Sequence, residues 1–228
     1  MYRLRIKHSQ LGVAKFFSHL ETMKAWERCF RRADFPVVLT KGYSPRPRLS
    51  LAPPLPVGYE SVSEYLDLYL SSYLSRGEGG ERLSNQLPRG FELLEMRYVP
   101  LERPSLMEAA SLAFYQVKLN WPFGVAEKDL VKAWENYLKQ LEVYSHRNKE
   151  IKLNKERDIP MVRLKKENDQ LVFNLLLATG SRRTIRPDSL LKPFLDLYFK
   201  DFPISQLQIV RQAIYARRGT KLIDLMEA

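Results

Sequence analysis

The chain has 228 residues, enough for one large domain or two small ones around a real core, and its 45% hydrophobic and 11% aromatic content excludes a disordered polymer. Its 37 Lys and Arg against 26 Asp and Glu leave a formal charge of +11, which favours a polyanionic partner: nucleic acid first, then an acidic protein or an anionic membrane surface. The single cysteine, Cys29, excludes internal disulfides, a Cys-based zinc site and a Cys-ligated iron–sulfur cluster within the chain, and it points to a reducing, cytoplasmic location. The first ten residues lack the apolar segment of a signal peptide, and no apolar run approaches the roughly 18 residues that span a bilayer.

In chain order, residues 2–7 alternate Tyr, Arg, Leu, Arg, Ile, Lys, which predicts a half-buried strand with a charged outer face. Residues 18–33 form the clearest helix. Ser18 and Glu21 have capping-box spacing, and Leu20, Met23, Trp26, Phe30 and Ala33 recur as an apolar stripe. Pro36 ends it, and Val37, Val38 and Leu39 open a second strand. The stretch that follows, KGYSPRPRLSLAPPLPVGYES, holds five of the 14 prolines. Its prolines restrict the chain and lower the entropy lost on ordering, so the loop 42–61 is expected to be an ordered arm. Leu49, Leu51 and Leu55 are expected to give this arm an apolar grip on the body, with a short extra strand as one form of it. Tyr59 is expected to anchor it, while Tyr43 is open to base stacking.

Residues 64–70 alternate as a third strand, 79–87 suit a short helix, and 91–99 a fourth strand. After a linker at 100–110 the order restarts: strand 113–121, helix 127–144, a hairpin of 161–165 with 171–178, helix 187–199 interrupted by Pro193, and strand 206–216. The polar stretch 147–157 reads as a solvated connection. The fold class is therefore α+β, with two tandem ferredoxin-like (β-α-β-β-α-β) halves built on antiparallel sheets, residues 1–105 and 106–228.

The three histidines are scattered, and no nucleophile elbow, phosphate-binding glycine loop or zinc-protease helix motif is present. His19, in the first turn of the first helix, is the candidate for a metal-independent acid–base role on an RNA 2′-hydroxyl, weighed against a plain packing role. Basic residues are the stronger signal. Lys24, Arg28, Arg31 and Arg32 form a ridge along the first helix, opposite much of its apolar stripe. Lys41, Tyr43, Arg46 and Arg48 extend it from the loop. Arg182, Arg183 and Arg186 precede a helix start, a placement that suits phosphate. Arg211, Arg217, Arg218 and Lys221 add charge near the C-terminus.

Ser18-His19-Leu20-Glu21, Glu27 through Ala33, Lys41-Gly42-Tyr43-Ser44-Pro45-Arg46-Pro47, and Pro54-Leu55-Pro56-Val57-Gly58 with Glu60-Ser61 and Glu64-Tyr65 together resemble the radical-SAM-linked family of uncharacterised bacterial proteins. Gly180, Thr184 and Arg186-Pro187-Asp188 resemble that family's second signature. The resemblance implies a standalone accessory domain. The chain lacks the C-x3-C-x2-C pattern of a radical-SAM enzyme, so any [4Fe–4S] cluster and S-adenosylmethionine would belong to a separate radical-SAM protein. A looser likeness is to CRISPR repeat-processing endoribonucleases, but the segment from Tyr215 to Thr220 carries one glycine where they have a glycine-rich loop. The leading expectation is a cytoplasmic RNA-binding accessory domain, with tRNA or rRNA as the RNA class, acting with a radical-SAM or RNA-modification or processing partner. The alternatives are a protein-interaction module for such an enzyme without RNA contact, tested at the Pro45-Arg46-Pro47 segment, and a ribonuclease using His19.

Overall fold

A computed structural model describes residues 1–120, 126–146, 149–198 and 202–228. Strands β1 (Tyr2–Gln10), β2 (Leu49–Leu51), β3 (Glu60–Leu70), β4 (Phe91–Val99), β5 (Ala110–Asn120), β8 (Met161–Glu167), β9 (Gln170–Ala178), β10 (Gln208–Arg218) and β11 (Lys221–Asp224) make one nine-stranded sheet among the described residues. Its main path runs β4-β1-β3-β10-β5-β9-β8, with β2 on β3 and β11 on β10. Every pairing is antiparallel except the short β10–β3 contact, where Val210 and Arg211 lie beside Glu60 and Ser61. A separate hairpin joins β6 (Val143–His146) to β7 (Lys149–Lys152). The helices are α1 (His19–Arg32), α2 (Arg76–Ser84), α3 (Leu106–Ala109), α4 (Glu127–Gln140), α5 (Lys155–Asp158) and α6 (Pro187–Tyr198). The class is thus mixed α+β with a mostly antiparallel sheet.

One apolar cluster packs Leu4, Ile6, Leu66, Leu68 and Leu70 of the sheet against Trp26 and Phe30 of α1 and Leu83 of α2. A second packs Val117, Phe173 and Leu175 against Trp134 of α4 and Phe194 of α6. A third brings Tyr65, Ala110, Ile214 and Ala216 together with Leu106, Leu225 and Met226. That third cluster corrects the first strand. Arg3 and Arg5 are 2% and 0% exposed, so the second face of β1 is no charged outer surface. Both guanidinia bind Asp67 of β3, at 2.6 and 2.8 Å, and carbonyls of Arg103, Pro104, Leu225 and Ala228 take their remaining donors. Alternation in a sequence gives two faces; the C-terminal segment decides that the second one is covered.

The Ser18–Glu21 capping box forms as expected, the Glu21 amide bonding Ser18 Oγ at 3.3 Å and the Ser18 amide bonding Glu21 at 2.8 Å. The buried stripe of α1 is Thr22, Trp26, Cys29 and Phe30. Leu20 lies roughly 120° around the helix from Trp26 and is exposed, since each residue turns about 100°. The expected second strand at residues 37–39 is reduced to isolated bridges, Val37 to Leu70 and Leu39 to Pro47. The role passes to β2 inside the proline-rich stretch. Residues 147–157, expected as a plain connection, include the described β7 and α5; residues 147 and 148 lie outside the described residues, as do the expected strand end at 121 and helix end at 199. Helix α6 runs through Pro193.

A candidate anion-binding cleft

The cleft is assembled from the ends of three adjacent strands and the turns beyond them. Ala178 of β9, Ala110 of β5 and Ala216 of β10 line it as a floor of short side chains, with Ala110 opposite Ala216 in the β5–β10 register. Ser111 and Thr179 add hydroxyls, and the Thr179 amide bonds the Ser111 carbonyl at 3.0 Å. The volume is about 930 Å³, within the range of about 300–1,000 Å³ typical of small-ligand sites.

Six arginines line this space: Arg103, Arg157, Arg182, Arg183, Arg217 and Arg218. Their local placement follows from the chain. Gly180 has φ +111°, and a Cβ there would sit 2.3 Å from the Ala110 carbonyl oxygen, so only glycine lets the turn after β9 pass so close to α3 and β5. The Ser181 amide then bonds the Met107 carbonyl at 3.1 Å. The turn leaves Arg182 exposed and sends Arg183 to Asp158, with a second bond from Arg183 to the Lys152 carbonyl at 2.9 Å. Asp158 closes α5: its carboxylate accepts from Arg157 at 2.8 Å and from the Asn154 amide at 2.9 Å. Burial works to raise its pKa, but the hydrogen bonds from Arg157, Asn154 and Arg183 prevail and hold the carboxyl below the usual range. The β10–β11 hairpin supplies Arg217 and Arg218, turning at Gly219 (φ +61°). Arg103 donates to the Glu227 carbonyl, a neutral acceptor, at 2.5 Å. The side chains of Arg182, Arg217 and Arg218 make no hydrogen bond or ion pair among the described residues. Guanidinia paired with no carboxylate, gathered around one recess, have the donors and the charge that a multiply charged anion would fit.

A model of the family described as "Uncharacterized protein conserved in bacteria (DUF2344)" matches residues 3–187. The chain belongs to the DUF2344 family. The match takes in Arg103, Arg157, Arg182 and Arg183 of the cleft and stops before Arg217 and Arg218. No curated protein matches this DUF2344 chain. Among solved structures, one similar to it is an H/ACA ribonucleoprotein bound to a substrate RNA containing 2′-deoxyuridine, at 9% identity and a TM-score of 0.48 over 91% of this chain. The chain spans about half of that one, 46%. Another is a protein taken to be a glycine cleavage system transcriptional repressor, at 9% identity and a TM-score of 0.25, covering 92% of this chain and 98% of that one.

In the DUF2344 chain, the residues singled out from sequence do not all meet. Arg182, Arg183, Arg217 and Arg218 line the cleft; the others do not. Lys24, Arg28 and Arg31 stand exposed on the outer face of α1, and Arg32 donates to the Gln86 carbonyl at 2.7 Å. Lys41, Tyr43 and Arg46 are exposed on a hairpin-like arm closed by Thr40 N to Arg46 O at 2.8 Å and Arg48 N to Val38 O at 2.7 Å. Arg48 covers the Tyr69 ring, 4.3 Å from its centroid. Arg186 is held by Asp188 at 2.5 Å and lies over the ring of buried Tyr59. Arg211 is 1% exposed; it pairs with Glu64 at 3.2 Å and clasps the carbonyls of Pro53 and Pro54, fastening the proline-rich arm to β10.

Arg103 and Arg157 escape a sequence reading because both lie in stretches whose composition reads as linker. His19 sits at the rim of a small cavity with His8, Thr22 and Glu64, of about 20 Å³, room for roughly one water molecule and no nucleotide. His8 is fully enclosed there, its Nδ1 3.1 Å from the Ser9 carbonyl, and burial lowers its pKa to about 4. Among the described residues, no group of three or more His, Cys, Asp or Glu is placed to hold a metal ion. No helix of the described residues is long and apolar enough to cross a membrane.

Proposed function

We propose that this chain is an RNA-binding accessory protein acting beside a separate radical-SAM or RNA-modifying or processing enzyme. The observation that carries the reading is the partner-free set of Arg182, Arg217 and Arg218 around an alanine-floored recess. The +11 charge supports it, because a field of that sign steers polyanions towards the surface. The basic face of α1 and the arm with Tyr43 offer further phosphate and stacking contacts outside the cleft. In this reading tRNA or rRNA is the RNA class, and S-adenosylmethionine and a [4Fe–4S] cluster reside on the partner. The strand orders β4-β1-β3-β2 and β10-β5-β9-β8 support a reading of the sheet as two ferredoxin-like halves, each with its fourth, first, third and second strands in that order. The test is a titration of tRNA and rRNA fragments over a salt series. Phosphate contacts demand an affinity that falls steeply with salt; salt-indifferent binding, or none, sinks the proposal.

A second reading, docking of the partner enzyme, is favoured by Val13, Phe16, Leu20 and Val57, which are 49–63% exposed. Phe16 and Val57 line one shallow groove beside Lys15 and Lys118. Phe16→Ser with Val57→Ser is expected to abolish co-purification of a radical-SAM protein while leaving tRNA affinity intact. Co-purification that survives both changes, or never occurs with the parent, counts against docking there.

A further inference from the structure

The cleft is not uniformly basic, and the arrangement of its charges narrows the ligand. Alongside its six arginines it is lined by Glu108, Asp158 and Glu227. Asp158 is consumed by Arg157 and Arg183, and Glu227 pairs outward with Arg97 at 2.5 Å. The Glu108 carboxylate has no partner among the described residues. Uncompensated charge in the recess is therefore positive at Arg182, Arg217, Arg218 and Arg103, whose bond is to a neutral carbonyl, and negative at Glu108.

Resting on the RNA reading above, we infer that the cleft receives the phosphorylated end of an RNA strand, and not the interior of a strand passing through. Three observations converge on this. A terminal phosphate monoester carries nearly two negative charges near neutral pH and an additional anionic oxygen, whereas an internal diester carries one charge, so a cluster of unpaired guanidinia matches the monoester better. A strand running on through the recess would bring further phosphates against Glu108, where like charges repel. The hydroxyls of a ribose and the amino groups of a base are donors, and a free carboxylate accepts them. Finally, a recess of about 930 Å³ has the size of a nucleotide site, and Ala110, Ala178 and Ala216 leave its floor low enough for a flat ring.

The experiment compares one single-stranded RNA sequence in four forms: 5′-phosphorylated, 3′-phosphorylated, hydroxyl at both ends, and circular. Binding is measured with the full chain at fixed salt. One phosphorylated form is expected to bind at least about tenfold tighter than the hydroxyl-ended and circular forms, and which one identifies the end recognised. The preference is expected to disappear in Arg182→Ala combined with Arg217→Ala and Arg218→Ala. Glu108→Gln is expected to narrow it from the other side, by admitting the circular form more tightly. Equal binding of all four forms overturns end recognition and leaves the RNA reading standing. Binding of none overturns both.

Discussion

His8 faces Glu64 directly across the β1–β3 pair, beneath Trp26 at 4.7 Å between ring centroids. Burial lowers its pKa from 6.5 to about 4, so between those values the unfolded chain binds a proton that the folded chain refuses. Stability then rises with pH across that window, and His8 costs about 3 kcal/mol of stability at the acid end relative to neutral pH. Glu64 works in the opposite sense, because burial raises its pKa and the folded state takes up its proton first. Asp158, Asp188 and Asp224, all held low, add to acid lability as pH falls through their folded values. The His8 share is therefore read as a difference: urea unfolding of the parent and of His8→Gln between pH 4 and 7 is expected to show a shallower slope for the variant. Equal slopes would mean His8 does not bury neutral. The exposed arginines behave otherwise. Neutralising Arg182, Arg217 or Arg218 removes no hydrogen bond or ion pair of the described fold, and each change is expected to stay within about 0.5 kcal/mol by thermal unfolding while weakening RNA binding.

At the level of elements, the turn after β9 ties fold to site. Gly180→Ala puts a methyl against the Ala110 carbonyl at a positive φ, with an expected loss of at least about 1–3 kcal/mol and a displaced Arg182–Arg183 pair. An unchanged urea midpoint would contradict the close approach. Much of the element order is legible because local rules decide it: the Ser18–Glu21 cap, the alternation that becomes β3, and β4 over residues 91–99. The second strand is misplaced by such rules because Val37, Val38 and Leu39 have strand chemistry but only isolated bridges, while Leu49–Leu51, embedded among prolines, finds the open edge of β3. Propensity names a segment fit for a strand; the neighbour that pairs with it is a tertiary fact. The arm carries Tyr43 fully into solvent beside exposed Lys41, on a backbone closed by its own hydrogen bonds.

Across the whole molecule, Asp67 bonds two buried arginines at once, and the same guanidinia hold the backbone at Arg103 and Pro104 on one side and Leu225 and Ala228 on the other. Arg103, Pro104 and Ala228 also line the cleft, so the buried cluster fixes its wall. Asp67→Asn leaves two buried cations short of charge and is expected to cost about 3–5 kcal/mol, against a total stability of roughly 5–15 kcal/mol for a domain. A melting temperature within a degree of the parent's would contradict that role. The cleft itself is half legible in the sequence. Arg182 and Arg183 stand together before a helix start and invite a phosphate reading, but Arg217 and Arg218 reach the same space through the β10–β5–β9 pairing, Arg103 through the buried Arg3 that holds its carbonyl, and Arg157 through Asp158 at the end of α5. The measurement closest to the central claim is the salt slope of RNA affinity in the parent and in the Arg182→Ala, Arg217→Ala, Arg218→Ala triple variant. If these side chains hold phosphates, the slope of log affinity against log salt falls by about 0.7 for each single-strand phosphate released, near 2 in all. The same slope in both proteins would place the RNA elsewhere and contradict the cleft as its site.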